Sequence, residues 1–208
     1  MTAASLVEPR VPLLERDQVP AGTVALYDTL LETRGVVPNM FKALANVPSL
    51  ALGIAALLKP LMGEGALPGR YKELIATRVA WLNRCEYCVS AHRYLALQRG
   101  ATPEQVASLE DQTSLEDETS LPGFERGPFT EKERAGFRYA GLLHASGQAV
   151  DEAAFAALST HFNSQEIIEL TAVAAAFEMF PRFNSALHIP VTPLPEGKTD
   201  QAGGNSAC

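Results

Sequence analysis

Apolar residues in this chain recur at three- and four-residue intervals, the period of a helix with one buried face. Nowhere do they alternate with polar residues as a half-buried strand requires. Val24, Leu26, Leu30 and Leu31 predict a helix over Gly22–Arg34, stopped by Gly35 and Pro38. Met40–Val47 and Ser49–Met62 read as two further helices separated by Pro48, with Pro60 expected to kink or tighten the second. After a loop over Gly63–Gly69, the spacing of Leu74, Ile75, Val79, Ala80 and Leu82 predicts a helix from Arg70. A break at Asn83-Arg84 separates it from a helix over Cys85–Gln98, ended by Gly100 as a C-terminal glycine. Thr102-Pro103-Glu104-Gln105 and Thr130-Glu131-Lys132-Glu133 are capping-box starts, the second opening a helix to about Ser146. Asp151 caps a helix to His161, and Asn163 or Ser164 caps the last, to about Pro181. The pattern as a whole predicts an all-α protein.

Between these helices the chain divides by composition. Residues 1–22, rich in Pro and charge, read as an N-terminal arm to a helical domain over 23–190. Residues 111–129, acidic and Ser/Thr-rich with Pro122, Gly123, Gly127 and Pro128, read as a linker, with room for a short turn of helix. Residues 191–208, with Pro193, Pro195, Gly203 and Gly204, form a tail with no pattern that could bury a core. Laid on itself so that Glu73-Leu74 falls on Glu169-Leu170, the chain also brings Ala76 onto Ala172, Ala80 onto Ala176, Trp81 onto Phe177 and His92 onto His188. Cys85 then falls on Pro181 and Cys88 on Asn184. This reads as two related helical halves, an active one over about 23–110 and a degenerate one over about 130–190 that lacks the thiols.

Composition narrows the possible partners. The 208 residues are 47% hydrophobic and 20% charged, with a formal net charge of -7 and no basic run. That charge argues against nucleic acid and against an anionic membrane as partner. The longest apolar run, Leu50–Leu58, falls well short of the roughly 18 residues needed to span a bilayer. The N-terminus lacks the apolar core of a secretory leader, so the expected compartment is the cytoplasm. Three cysteines, Cys85, Cys88 and the C-terminal Cys208, make no disulfide framework. In a reducing compartment the C-x-x-C pair is redox-active or metal-binding, and Cys208 reads as an inert tail thiol.

Cys85, Cys88 and His92 stand at i, i+3 and i+7 and share one helix face. Starting just after the break, the pair sits in a helix's first turn, where free N–H groups and the dipole stabilise a thiolate. His92, one turn beyond Cys88, is placed to take a thiol proton as general base. Glu73, on the preceding helix and expected to be at least partly buried, is placed to orient the imidazole or accept the proton. Tyr87, between the cysteines, is a lesser catalytic candidate and otherwise, like Tyr94, a packing or rim residue, whereas Trp81 reads as core. A structural zinc needs four ligands, and His144, His161 and His188 lie on other segments, so no metal is expected.

The stretch Glu73-Leu-Ile-Ala-Thr-Arg-Val-Ala-Trp-Leu-Asn-Arg-Cys85-Glu-Tyr-Cys88-Val-Ser-Ala-His92 resembles the signature of the carboxymuconolactone decarboxylase superfamily, and most closely its alkylhydroperoxidase D branch. Val37-Pro38-Asn39-Met40-Phe41 and Asn184-Ser185-Ala186-Leu187 are similar to larger members, so the resemblance covers roughly residues 35 to 190. It implies an all-helical bundle assembled as a homo-oligomer (dimer, trimer or hexamer), with no cofactor. It also implies that Cys88 is the peroxidatic cysteine, Cys85 the resolving one, and Glu73 and His92 the proton relay. Where the best-known branch has a second histidine between the cysteines, this chain has Tyr87, a departure that bears on the relay. The leading expectation is a hydroperoxide reductase or disulfide oxidoreductase, regenerated by an external dithiol. The alternatives are a carboxymuconolactone-type decarboxylase and a non-catalytic redox sensor whose pair switches an oligomer interface.

Overall fold

The computed structural model describes residues 8–110 and 122–193, and the expectations for Cys208 and for most of the acidic linker lie outside them. Among the described residues every regular element is helical, as the periodicity predicts. The described residues form two compact units, one within 8–55 and 188–193 and the other within 56–110 and 122–187.

In the first unit, α1 (Ala21–Arg34) ends where Gly35 turns left-handed at φ 73 and its N–H reaches Leu31 O. The short α2 (Asn39–Leu44) follows, and α3 (Pro48–Met62) begins in this unit and runs on into the second. Pro48, expected to stand between a pair of helices, is instead the first residue of α3, where its missing N–H costs nothing. The described portion of the arm is irregular but anchored. Leu14 N donates to Lys42 O, Tyr27 Oη to Leu14 O at 2.8 Å, and Asn46 Nδ2 to Pro12 O. Arg16 grips Asp28 through two hydrogen bonds of 2.6 and 2.8 Å. The first residues of the tail are tied as well. Asn39 donates its backbone N–H to Thr192 Oγ1 and its amide to Pro190 O and Val191 O, beside the buried Ile189. Hydrogen bonds, invisible to an apolar count, hold what hydrophobic pattern does not.

The second unit is built around α4 (Gly69–Leu82). The sequence marks it as amphipathic, yet Tyr71 to Ala80 is buried without interruption. The reason is that its polar side chains find partners inside. Lys72, fully buried, donates to Gly63 O at 2.9 Å and pairs with Glu169 at 2.9 Å. Arg78 donates to Leu109 O and lies between the rings of Trp81 and Phe124. Packed on α4 are α5 (Glu86–Gln98), α6 (Pro103–Leu109), α8 (Glu131–Ala145) and α10 (Ser164–Ala186). The short α7 (Gly123–Arg126) and α9 (Glu152–Ser159) pack on α8. Both capping boxes form as the sequence requires, and Asn163 makes a third at the start of α10. Gly136 lets α8 approach α4, since a Cβ there would lie 1.9 Å from the Tyr71 hydroxyl.

One helix outruns its expected end. α10 does not stop near Pro181 but continues to Ala186. Proline keeps a helical φ and removes only its own donor, and with Pro181 buried among packed helices the flanking turns hold the axis. That extra length delivers Asn184 and Ser185. Trp81, expected in the core, is only half-buried, and its ring carries the Arg78 guanidinium.

Candidate active site

The site begins with the way α4 ends. Asn83 caps it, Arg84 adopts a left-handed φ of 53, and Cys85 follows. Arg84 N donates to Trp81 O, and Cys85 N reaches back to Ala80 O at 3.1 Å. These are the paired bonds of a Schellman turn, formed here with Arg at the position glycine usually takes. The turn reverses the chain at once, so Cys85 is both the last residue of that turn and the N-cap of α5.

An N-cap side chain faces the free N–H groups of the first helical turn. For Cys85 these belong to Tyr87 and Cys88, and they bias its sulfur electrostatically without closing a full capping hydrogen bond. Cys85 and Cys88 are free thiols, 3% and 2% exposed, one helical turn apart. The Cys88 thiol donates to Cys85, and this is the main reason the Cys85 thiol is lowered from 9.0 to about 7. Burial opposes that shift, while the two backbone N–H groups and the Ser185 hydroxyl assist it. Cys88 moves the other way, pushed far up by its hydrogen bond to Cys85, by burial and by the Cys85 charge. The pair therefore loses its first proton as a unit, with the charge resting on Cys85 and the remaining proton on Cys88.

One turn further along α5, His92 Nδ1 lies 2.7 Å from Glu73 Oε2. A carboxylate only accepts, so Nδ1 carries the hydrogen and Nε2 is left for other work. Glu73 is 1% exposed, and its second oxygen, Oε1, faces Arg99 Nη2 at 3.6 Å. Arg99 is held in turn by Met62 O. Removing either partner of a buried charge of this kind costs about 3–5 kcal/mol. The His92 ring meets Phe177 edge-on at 4.3 Å, which fixes its plane.

The structure thus brings together Glu73 with His92 and Cys85 with Cys88, while His92 hydrogen-bonds neither sulfur among the described residues. Tyr87 is buried, and its contribution at the pair is its backbone N–H. Sequence reasoning missed Arg99, Phe177, Ser185 and Asn184 as members of the site. Asn184 Nδ2 donates to Cys88 Sγ at 3.3 Å, and its own Oδ1 is buried with no hydrogen bond from any described residue. An orphan acceptor of this kind costs about 1–3 kcal/mol. A signal for it existed, because the self-overlay of the chain lays Cys88 on Asn184. The other histidines form no second site of this type: His144 pairs with Glu178 at 2.8 Å, beside Asn83 and Arg182. Among the described residues no group of three or more His, Cys, Asp or Glu is arranged to hold a metal ion. No described helix is long and apolar enough to cross a membrane.

Residues 48–115 match the Carboxymuconolactone decarboxylase family. An uncharacterized protein of Escherichia coli K12, YnjA, is 27% identical over 124 residues, 59% of this chain and 62% of that relative, so the chain spans less than two thirds of its length. An uncharacterized protein of Cupriavidus necator, H16_B0147, is 36% identical over 83 residues, 39% of this chain and 74% of the relative. Among solved structures, an uncharacterized peroxidase-related protein from Silicibacter sp. TM1040 is similar at TM-score 0.77 and 26% identity, over 90% of this chain and 94% of that one. The debrominase Bmp8, in complex with 2,3,4-tribromopyrrole, shares the fold at TM-score 0.71 and 21% identity, over 92% of this chain and 96% of that one.

Proposed function

The chain belongs to the carboxymuconolactone decarboxylase superfamily, in its alkylhydroperoxidase D-like branch, and from that membership we propose that it is a thiol-dependent hydroperoxide reductase. The family and its neighbours support a peroxidase-related or a decarboxylase-like activity. The first is favoured by one observation: two buried sulfurs in hydrogen-bond contact stand one turn from a histidine paired with the buried Glu73. Decarboxylating a lactone needs groups to hold a carboxylate and donate a proton, but no thiol pair.

In the proposed cycle Cys88 becomes the nucleophile by passing its proton along the existing hydrogen bond to Cys85, or across the site to His92, which bonds neither sulfur in the resting geometry. Its thiolate attacks the terminal oxygen of R–O–O–H. The S–O bond forms, the O–O bond breaks, and sulfur is oxidised by two electrons as the peroxide is reduced. The departing alkoxide takes a proton from the His92–Glu73 pair and leaves as alcohol. Cys85 then gives up its proton and attacks the Cys88 sulfenic acid, giving a disulfide and water. An external dithiol restores both thiols by exchange. The protein is expected to act as a homo-oligomer without a bound cofactor, and the natural peroxide and reductant belong to this proposal as classes only.

The test follows hydroperoxide loss in the presence of a dithiol donor and compares Cys88→Ser with the unaltered protein. Turnover abolished in the variant supports the proposal; equal rates eliminate it.

A further inference from the structure

The Asn184 amide has two ends, and the thiol pair uses only one. Asn184 is 2% exposed and stands near the C-terminus of α10, in the turn that continues past Pro181. Its Nδ2 donates to Cys88 Sγ at 3.3 Å, and that contact favours the Cys88 thiolate. Its Oδ1 is buried and accepts from no described residue. Native structures seldom leave a buried acceptor unmatched unless a ligand or a reaction supplies the donor. Oδ1 is bonded to the same carbon as the nitrogen that touches the sulfur, so it lies in the neighbourhood of the thiol pair.

From this geometry we infer that Asn184 is a hydroperoxide-binding residue, whose Oδ1 accepts the hydrogen of the R–O–O–H group while its Nδ2 holds the attacking Cys88 sulfur. This rests on the reading of the protein as a hydroperoxide reductase and names the group that recognises its substrate. A hydroperoxide carries one donor, its terminal O–H, and that oxygen is the one transferred to sulfur. An acceptor attached through one rigid amide to the nucleophile's own donor sets oxygen and sulfur side by side for attack. The S–O bond then forms as the O–O bond breaks. The hydrogen stays on the transferred oxygen as the sulfenic acid, and the alkoxide is protonated from the His92 side. A dialkyl peroxide has no such hydrogen and is not held. Ser185, the next residue on α10, serves the other sulfur, so one helix end addresses both members of the pair.

Two rates measured on the reduced protein separate this from a purely structural role: alkylation of Cys88 by iodoacetamide in a Cys85→Ala background, and reduction of tert-butyl hydroperoxide by the intact pair. Asn184→Ala loses the donor to sulfur in both reactions but the acceptor only in the second. Each hydrogen bond to a charged or reacting group is worth about tenfold. Alkylation is therefore expected to fall about tenfold and peroxide reduction about a hundredfold. Asn184→Asp keeps an acceptor but replaces the N–H donor, so in this variant the two rates are expected to fall by a similar factor, and peroxide reduction falling well beyond alkylation there overturns the inference even if the alanine variant folds poorly. For Asn184→Ala, equal losses in both reactions, or no loss in either, overturn the inference while leaving the peroxidase reading intact. Unaltered protein that alkylates normally but reduces no hydroperoxide sinks that reading, and the inference with it.

Discussion

At the scale of single residues, the chemistry turns on how one proton is shared. The largest influence lowering Cys85 is the S–H of Cys88, so Cys88→Ala should move the Cys85 ionisation upward from about 7 toward its ordinary 9.0. A pH series of alkylation rates with mass detection checks this, and an unmoved midpoint would show that the helix N-terminus alone sets the thiol. The same lowering links to stability. Between about pH 7 and 9 the folded Cys85 binds fewer protons than the unfolded chain, so its stabilising effect is present above that window and is lost as pH falls through about 7. Glu73 makes a second residue-scale prediction. Glu73→Gln keeps the shape but cannot stabilise a charged imidazole, and peroxide turnover should drop about a hundredfold with the thermal midpoint of the fold still measurable. Unchanged turnover would remove the relay from the mechanism. Cys85, Cys88 and His92 were legible as candidates because they fall on one face of one helix, and Glu73, on the preceding helix, through the resemblance of the whole stretch to a family signature. Asn184 and Arg99 were not, because their partners lie far away in the chain and no local pattern signals them.

Elements deliver these residues. The join between α4 and α5 is a three-residue reversal, and its left-handed residue is Arg84 rather than glycine. A left-handed non-glycine residue is strained by about 1–2 kcal/mol. Arg84→Gly relieves that strain and returns about half of it through the greater freedom of the unfolded chain. The variant should unfold at the same or a higher denaturant concentration, with Cys85 alkylation unchanged. Destabilisation by more than about 1 kcal/mol would mean that the Arg84 side chain, not the turn, holds the join. Helix starts were readable from their caps, Thr102, Thr130, Asp151 and Asn163, because capping is chemistry between near neighbours. The end of α10 was not, because whether a helix survives Pro181 depends on what packs around it. The unbroken burial of Tyr71–Ala80 was equally hidden, since Lys72 and Arg78 read as surface residues until their distant partners are known.

For the whole molecule, the all-helical class followed directly from the period of the apolar residues. What the period could not say is which apolar faces remain uncovered within one chain. α3 carries a single charge, Lys59, and leaves Leu50, Leu52 and Leu57 exposed. Helices apolar on every side are normally buried, and a homo-oligomer would cover this one. Sedimentation should give a mass that is a multiple of 22.3 kDa, with Leu57→Lys shifting it toward the single chain. A monomer in both cases would leave α3 without its proposed cover. The relation between the halves also belongs to this scale. The overlay that lays Cys88 on Asn184 pairs two residues that hydrogen-bond. All of this depends on the two sulfurs passing electrons as a couple. The most direct measurement adds one equivalent of hydroperoxide to fully reduced protein, blocks the remaining thiols by alkylation, and reads the linkage of Cys85 and Cys88 from the peptide mass. The account predicts peroxide consumed in step with a Cys85–Cys88 disulfide; peroxide left unconsumed, or consumed while both cysteines stay open to alkylation, would contradict it.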